Sequence, residues 1–196
     1  MPLEAAPAPL IFVRHGETDW NVAGRLQGRT DIPLNARGRD QADAVGRALK
    51  DFSGVADRVF VASPLSRASD TMRRMRAAMG LDPDGFETDE RLSEMSFGRW
   101  EGSTFFEIRE REPGAMKARE ADRWDHRPPD GESYADVSAR VEAALAALDR
   151  PAVVVSHGGV ARAVLALAGV ERDRLPELRI QQGRALVIEN GGWRWI

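Results

Sequence analysis

The 196-residue sequence contains no cysteine. Disulfides, thiolate metal sites and a cysteine nucleophile are therefore excluded. Basic residues are lopsided: 28 are Lys or Arg, and Lys50 and Lys117 are the only lysines, which leaves 26 arginines. Codon bias accounts for that excess, so a functional reading has to rest on where particular arginines sit. Only three histidines occur, His15, His126 and His157, so histidine chemistry has few candidates. No apolar run approaches the ~18 residues that a membrane span needs. The opening MPLEAAPAPL has neither a basic n-region nor a long apolar stretch, so no secretory signal is expected there. These absences point to a cytoplasmic location.

The composition is 42% hydrophobic and 30% charged, enough to bury a core and stay in solution. Disordered and collagen-like classes are excluded. The net charge of −3 argues against bulk binding to nucleic acid or to an anionic membrane.

Residues 1–8 read as a loose terminus. Leu10-Ile11-Phe12-Val13, Val59-Phe60-Val61-Ala62 and Ala152-Val153-Val154-Val155 are short apolar runs of the kind buried strands make. Helical periodicity is expected over 36–51 with Asn35 as N-cap, from Ser63-Pro64 to Met79 with Gly80 as terminator, over 134–149, and over about 160–168. Residues 81–102 read as a strand within loops. Residues 103–124 read as helical with an interruption at Pro113-Gly114. The tail reads as a β-hairpin, 178–189 and 193–196, turning at Asn190-Gly191. Strands alternating with helices imply an α/β fold with a mostly parallel sheet. In such sheets ligands gather at the carboxyl ends of the strands. His15, the Ser63–Arg67 segment and His157 each follow a strand directly, so three loops can converge on one site.

The residue types at those loops suit attack on phosphorus. In Arg14-His15-Gly16-Glu17-Thr18-Asp19-Trp20-Asn21, a neutral imidazole is a competent nucleophile near pH 7. The adjacent arginine offers a fork to phosphoryl oxygens. Arg67 occupies the first turn of a helix, where a cation opposes the helix dipole and a bound anion would account for it. His157 leaves a strand before small residues. Glu94 lies among Leu92, Met95 and Phe97; a carboxyl in apolar surroundings holds its proton more tightly and can serve as a general acid. Each residue alone has a plainer reading as a solvated or packed side chain. Together they supply a nucleophile, two arginines, a second imidazole and a proton donor. Glu17 and Thr18 are expected to hydrogen-bond the loop, Trp100, Trp193 and Trp195 to be structural, and His126 to be a surface residue.

On these residues the chain resembles the histidine phosphatase superfamily, also called phosphoglycerate mutase-like. The most specific element is Arg14-His15-Gly16-Glu17-Thr18-x-Trp20-Asn21. Supporting elements are Pro33-Leu34-Asn35-x-x-Gly38-x-x-Gln41-Ala42, Ser63-Pro64-Leu65-x-Arg67-Ala68-x-x-Thr71 and Val155-Ser156-His157-Gly158. The resemblance implies a three-layer α/β/α sandwich over residues 9–196 with a lid-like insertion at about 98–133. It implies that His15 becomes a phosphohistidine, that Arg14, Asn21, Arg67 and His157 bind the phosphoryl group, and that Glu94 handles the proton. No metal and no cofactor are implied. The expected partner is a small phosphorylated substrate, with no nucleic acid and no membrane, and the chain is expected as a monomer or homodimer. Phe97-Gly98-Arg99-Trp100-Glu101-Gly102 and Ile180-Gln181-Gln182-Gly183 resemble small phosphatases such as alpha-ribazole phosphatase. Arg25-Leu26-Gln27-Gly28 stands where the mutases carry a Ser-Gly-containing stretch. A phosphomonoesterase is therefore expected, with a cofactor-dependent phosphoglycerate mutase as the alternative and a non-catalytic phospho-ligand binding module as the remaining one. Arg99, Arg109, Arg119, Arg123 and Arg127 make the lid region basic, which suits either a substrate with a second anionic group or a solvated face.

Overall fold

The computed structural model describes residues 10–189 and 192–196. The expected loose terminus and the turn at Asn190-Gly191 lie outside the described residues. Six strands form one sheet: β1 Leu10–Arg14, β2 Val59–Ala62, β3 Glu87–Thr88, β4 Ala152–Ser156, β5 Ala185–Glu189 and β6 Gly192–Trp195. Their spatial order is β3-β2-β4-β1-β5-β6. β3, β2, β4 and β1 run parallel, whereas β5 and β6 are antiparallel. The sheet is thus mostly parallel, as the alternating pattern predicts.

β1 and β4 lie inside the sheet and are apolar on both faces, which is why they read as unbroken hydrophobic runs. Side chains alternate between the faces. Leu10, Phe12, Ala152, Val154, Leu186 and Ile188 join one core; Ile11, Val13, Val153, Val155, Ala185 and Val187 join the other. The first core is covered by α6 (Tyr134–Ala146) and α7 (Gly158–Leu167), the second by α2 (Ala36–Leu49) and α3 (Ser66–Met79). The result is a three-layer α/β/α arrangement.

The helix ends follow their sequence signals in most places. Asn35 caps α2 by accepting the Gly38 amide at 2.8 Å. Gly80 ends α3 in the left-handed conformation, φ 82°. Ser133 and Asp136 form a reciprocal cap on α6. Three expectations need correction. α3 begins at Ser66, not Ser63, because Pro64 lies before an extended Leu65 cap. α7 begins at Gly158, two residues early, because His157 is itself the N-cap. The hairpin's first strand begins at Ala185, not 178; the stretch ahead of it holds Gly183 at φ 72° and cannot extend as a strand.

Between β3 and α6 the chain makes short elements: 3-10 turns at Glu90–Leu92 and Gly98–Trp100, then α4 (Phe105–Arg111) and α5 (Pro113–Ala121). Trp100, Ile108 and Met116 give this region its own small core. Trp100 is fully buried, but Trp193 is 37% exposed and is not a core residue. His126 is half-buried and stacked on Trp100, so it is not a surface residue either. α1 (Asp19–Val22) is a single turn beside β1.

α2 and α3 approach closely at Gly46, where a Cβ would lie 2.3 Å from the Met75 carbonyl oxygen. Backbone cannot yield as a side chain does. Gly46→Val is therefore expected to lower unfolding stability by about 2 kcal/mol through overpacking. An unchanged urea midpoint would contradict this helix contact.

Candidate active site

β1, β2 and β4 are parallel, so their carboxyl ends share one edge of the sheet. His15, Ser63 and His157 are the residues that follow them. The backbone continues the strand geometry into the site: His15 N–H donates to Ser156 O at 2.8 Å, and Ser63 N–H to Val155 O at 3.0 Å.

The loop after His15 is clasped by the α2 segment. A Cβ on Gly16 would meet Gly38 O at 2.2 Å, and a Cβ on Gly38 would meet Glu17 O at 2.1 Å. Only two glycines allow that approach. Gln41 Oε1 accepts the Glu17 amide at 2.8 Å, and Asn35 Nδ2 donates to Glu17 Oε1 at 3.1 Å. Thr18 caps α1 jointly with Asn21. The Pro33–Ala42 motif thus braces the histidine loop, and Glu17 and Thr18 hydrogen-bond within that brace. Thr71 adds a further tie: its hydroxyl accepts the Gly16 amide at 3.0 Å and donates to Arg67 O at 2.7 Å.

His15 is almost wholly buried, with 2% exposure. Its Nδ1 lies 2.7 Å from Gly16 O. A carbonyl can only accept, so the proton sits on Nδ1 and Nε2 keeps its lone pair. Burial, reinforced by the positive charges of Arg14 and Arg67, holds the His15 pKa well below the usual histidine range. The ring is therefore neutral at pH 7. His157 lies beside it, with ring centroids 5.1 Å apart and planes tilted by 58°. It is fully buried, and burial followed by the charge of Arg67 pushes its pKa well below the ordinary value. Its Nε2 is 2.7 Å from Ser63 Oγ, while Nδ1 has no hydrogen-bond partner.

Arg14 donates through Nη1 to Ile180 O at 2.9 Å, and burial lowers its pKa to about 10, so it stays cationic near neutrality. Arg67 is fully buried in the first turn of α3. It donates from Nη1 to Thr30 O at 2.9 Å and from Nη2 to Gly28 O at 2.8 Å. Its location is explained by those carbonyls as well as by any anion. Nε of both arginines is buried without a partner. A buried donor left unbonded costs about 1–3 kcal/mol. Arg14 Nε, Arg67 Nε and His157 Nδ1 together call for an oxygen-rich anion.

The Glu94 carboxylate accepts the Met95 amide at 2.9 Å and the Gly159 amide, in the first turn of α7, at 3.0 Å. A Cβ on Gly159 would fall 2.4 Å from Glu94 Oε1, so any larger residue there would push the carboxylate aside. Arg140 supports the segment from behind, donating to Ser93 O at 2.7 Å and Glu94 O at 3.2 Å while paired with Glu132. Asn21 Oδ1 accepts from the Thr18 amide and from Gln182 Nε2 at 2.9 Å, which leaves its Nδ2 as the donor for the cavity.

A cavity of about 850 Å³ is lined by Arg14, His15, Asn21, Arg67 and Glu94, and by Gly158 and Gly159. His157 does not line it, but its ring lies 5.1 Å from that of His15, which does. The cavity extends outward to Arg109, Arg119 and Arg123. Arg99 and Arg127 do not line it and pair instead with Asp130 and Asp136. Among the described residues, no three His, Asp or Glu side chains gather as metal ligands.

Several positioning residues have roles that the sequence does not show; Glu101 and Gln182 stand inside segments that resemble small phosphatases, but nothing there marks what they hold. Glu101 accepts the Arg29 and Thr30 amides at 3.0 Å and the Phe97 amide at 3.2 Å, tying the loop that holds Arg67 to the segment after Glu94. Gln182 and Arg140 are likewise lone polar residues whose partners lie over 40 positions away. Ser63 and Thr71 stand inside a recognised motif, which marked the segment but not the atoms.

The family model described as the histidine phosphatase superfamily (branch 1) matches residues 10–196. A glucosyl-3-phosphoglycerate phosphatase of Mycobacterium tuberculosis is 37% identical over 171 residues, covering 80% of this chain and 73% of the relative. A 2,3-bisphosphoglycerate-dependent phosphoglycerate mutase of Methylobacterium radiotolerans is 34% identical over 186 residues, 91% of this chain and 87% of the relative. The crystal structure of the alpha-ribazole phosphatase from Shigella flexneri superposes with a TM-score of 0.78 at 28% identity, covering 96% of this chain and 95% of that one.

All three histidine pKa values are lowered, those of His15 and His157 most strongly, and this makes stability pH-dependent. Below about pH 6.5 the unfolded chain takes up protons that the native rings refuse, so the stability present above that pH is lost as pH falls. His15 and His157 each contribute up to about 1.4 kcal/mol per pH unit over that window. Urea unfolding between pH 7.5 and 5 is expected to show the slope, and His15→Asn to reduce it.

Proposed function

The chain belongs to the histidine phosphatase superfamily (branch 1), and on that footing we infer that it is a phosphomonoesterase working through a phosphohistidine. The observation that carries the reading is the meeting of His15, Arg14, Arg67 and Glu94 around one cavity at the carboxyl edge of the sheet. His15 presents a lone pair at Nε2, kept free by the Nδ1 contact to Gly16 O.

In the first half-reaction, Nε2 forms a bond to phosphorus as the bond from phosphorus to the leaving oxygen breaks. Glu94 gives its proton to that oxygen. In the second, Glu94 takes a proton from water, the water oxygen bonds to phosphorus, and the phosphorus–nitrogen bond breaks. Arg14 and Arg67, with His157 and the Asn21 amide, bind the phosphoryl oxygens and stabilise the charge that builds up in both steps. The chemistry draws on these side chains alone, so we propose that it needs no metal or cofactor.

The substrate is a small phosphorylated metabolite, a class supported by the relatives' names. Residues 98–133, with α4 and α5 over the cavity, serve as the lid that sets specificity. A cytoplasmic monomer or homodimer, with no nucleic acid and no membrane as partners, fits the net charge of −3. No helix among the described residues is long and apolar enough to cross a membrane. The similarity to a mutase keeps phosphoryl return to a second hydroxyl as the other reading.

Purified protein in EDTA is expected to release phosphate from a monoester panel, with His15→Ala reducing the rate by about a thousandfold or more. Isomerisation of 3-phosphoglycerate with little free phosphate would make it a mutase, and activity that survives His15→Ala or needs added metal would overturn the mechanism. In single-turnover measurements of phosphoenzyme formation, Glu94→Gln is expected to slow alkyl phosphates by about 100-fold or more and p-nitrophenyl phosphate much less, since p-nitrophenolate leaves without a proton. Equal losses on both would remove Glu94 as the acid.

A further inference from the structure

The two histidines of the site solve opposite problems. His15 has to show phosphorus a lone pair, and Gly16 O enforces that. His157 has to show the phosphoryl oxygens a proton, yet it is neutral and carries only one N–H. Which nitrogen holds that proton decides whether the ring attracts or repels an anion.

Nε2 of His157 is 2.7 Å from Ser63 Oγ, and Nδ1 is buried and unpartnered. The surroundings of Ser63 settle the direction of that bond. Its oxygen already accepts the Leu65 amide at 3.3 Å. Ser63 is fully buried, and among the described residues no other contact receives its hydroxyl proton. If Nε2 donated, the serine hydrogen would be stranded and a bare Nδ1 lone pair would face the phosphoryl oxygens. If the serine donates to Nε2, its hydrogen is used and Nδ1, the nitrogen without a partner, carries the ring proton.

We propose that Ser63 is a positioning residue: its hydroxyl donates to Nε2 of His157 and so fixes the tautomer whose Nδ1–H meets the phosphoryl group. Ser63 is well placed for this. It is the residue directly after β2, and Ser69 Oγ donates to its carbonyl at 3.0 Å, anchoring it against the first turns of α3. β2 and β4 are adjacent strands, with Ala62 in register with Val155. Continuing that register sets Ser63 across from Ser156, so Ser63 and the next residue along, His157, are close neighbours at the sheet edge. The proposal rests on the phosphatase reading for its consequence, but the tautomer itself can be read in the free protein.

The deciding experiment is 15N NMR of histidine-labelled protein at pH 7, with His157 assigned by its loss in His157→Asn. A protonated Nδ1 and a lone-pair Nε2 are expected in the wild type. A protonated Nε2 would overturn the proposal, whatever the activity. In Ser63→Ala the signature is expected to shift toward Nε2–H. kcat is expected to fall about 100-fold, the loss typical of one misdirected oxyanion donor, with orthovanadate binding weakened in parallel. Ser63→Thr keeps the hydroxyl and should restore the Nδ1–H signature and most of kcat. Ser63→Ala with unchanged tautomer and unchanged kcat would also overturn it. Absence of phosphatase activity in the wild type would instead sink the functional reading and leave the tautomer result standing.

Discussion

Positive charge held next to buried, uncharged imidazole is the constraint from which the rest of the structure follows. Arg14 and Arg67 lie close to His15 and His157, whose rings are buried at the floor of the site. Burial, reinforced by the cations, keeps both rings unprotonated, which is what a nucleophilic nitrogen requires. Among the described residues no carboxylate pairs with either cation at contact distance, although Glu94 acts on both through space. Protein carbonyls take the Nη donors, from Ile180, Thr30 and Gly28, but the Nε donors of both arginines stay unbonded. A site in that condition is preorganised for an anion with several oxygens, and pays for it in the free protein with buried, unsatisfied donors.

Holding that arrangement takes a second layer of residues. Gly16 and Gly38 let the histidine loop touch α2, while Gln41 and Asn35 grip Glu17. Thr71 ties the same loop to Arg67. Glu101 secures the 28–30 loop that supplies carbonyls to Arg67, and Arg140 supports the backbone of Glu94. Each group that touches the cavity is thus fixed by groups that do not. Catalytic geometry at this precision demands such support.

Much of the site was legible because its parts are local in sequence. The nucleophile and one arginine are neighbours, and strand runs end directly at His15 and His157. The elements were legible for the same reason: unbroken apolar runs mark central parallel strands, and Asn35, Ser133 and Gly80 mark helix ends. The misreadings fell where local signals compete with long-range contacts. Pro64 suggested a helix start, but the chain stays extended through Leu65. His126 reads as a surface residue from its neighbours in sequence, whereas the fold stacks it on Trp100. The 178–184 stretch lacks a strand partner and carries a left-handed glycine.

The sequence by itself determined the chemistry available: which imidazoles, guanidiniums and carboxylate the chain owns, and that strands deliver three of its loops to one edge. Only the tertiary structure decided which atom of each group faces the cavity. Gly16 O assigns the His15 proton, Ser63 meets Nε2 of His157 across 94 residues, and the Gly159 amide orients Glu94 across 65. Those assignments depend on distances and hydrogen-bond directions between segments remote in the chain. No periodicity or motif encodes them, because they come into being only when the parallel strands align.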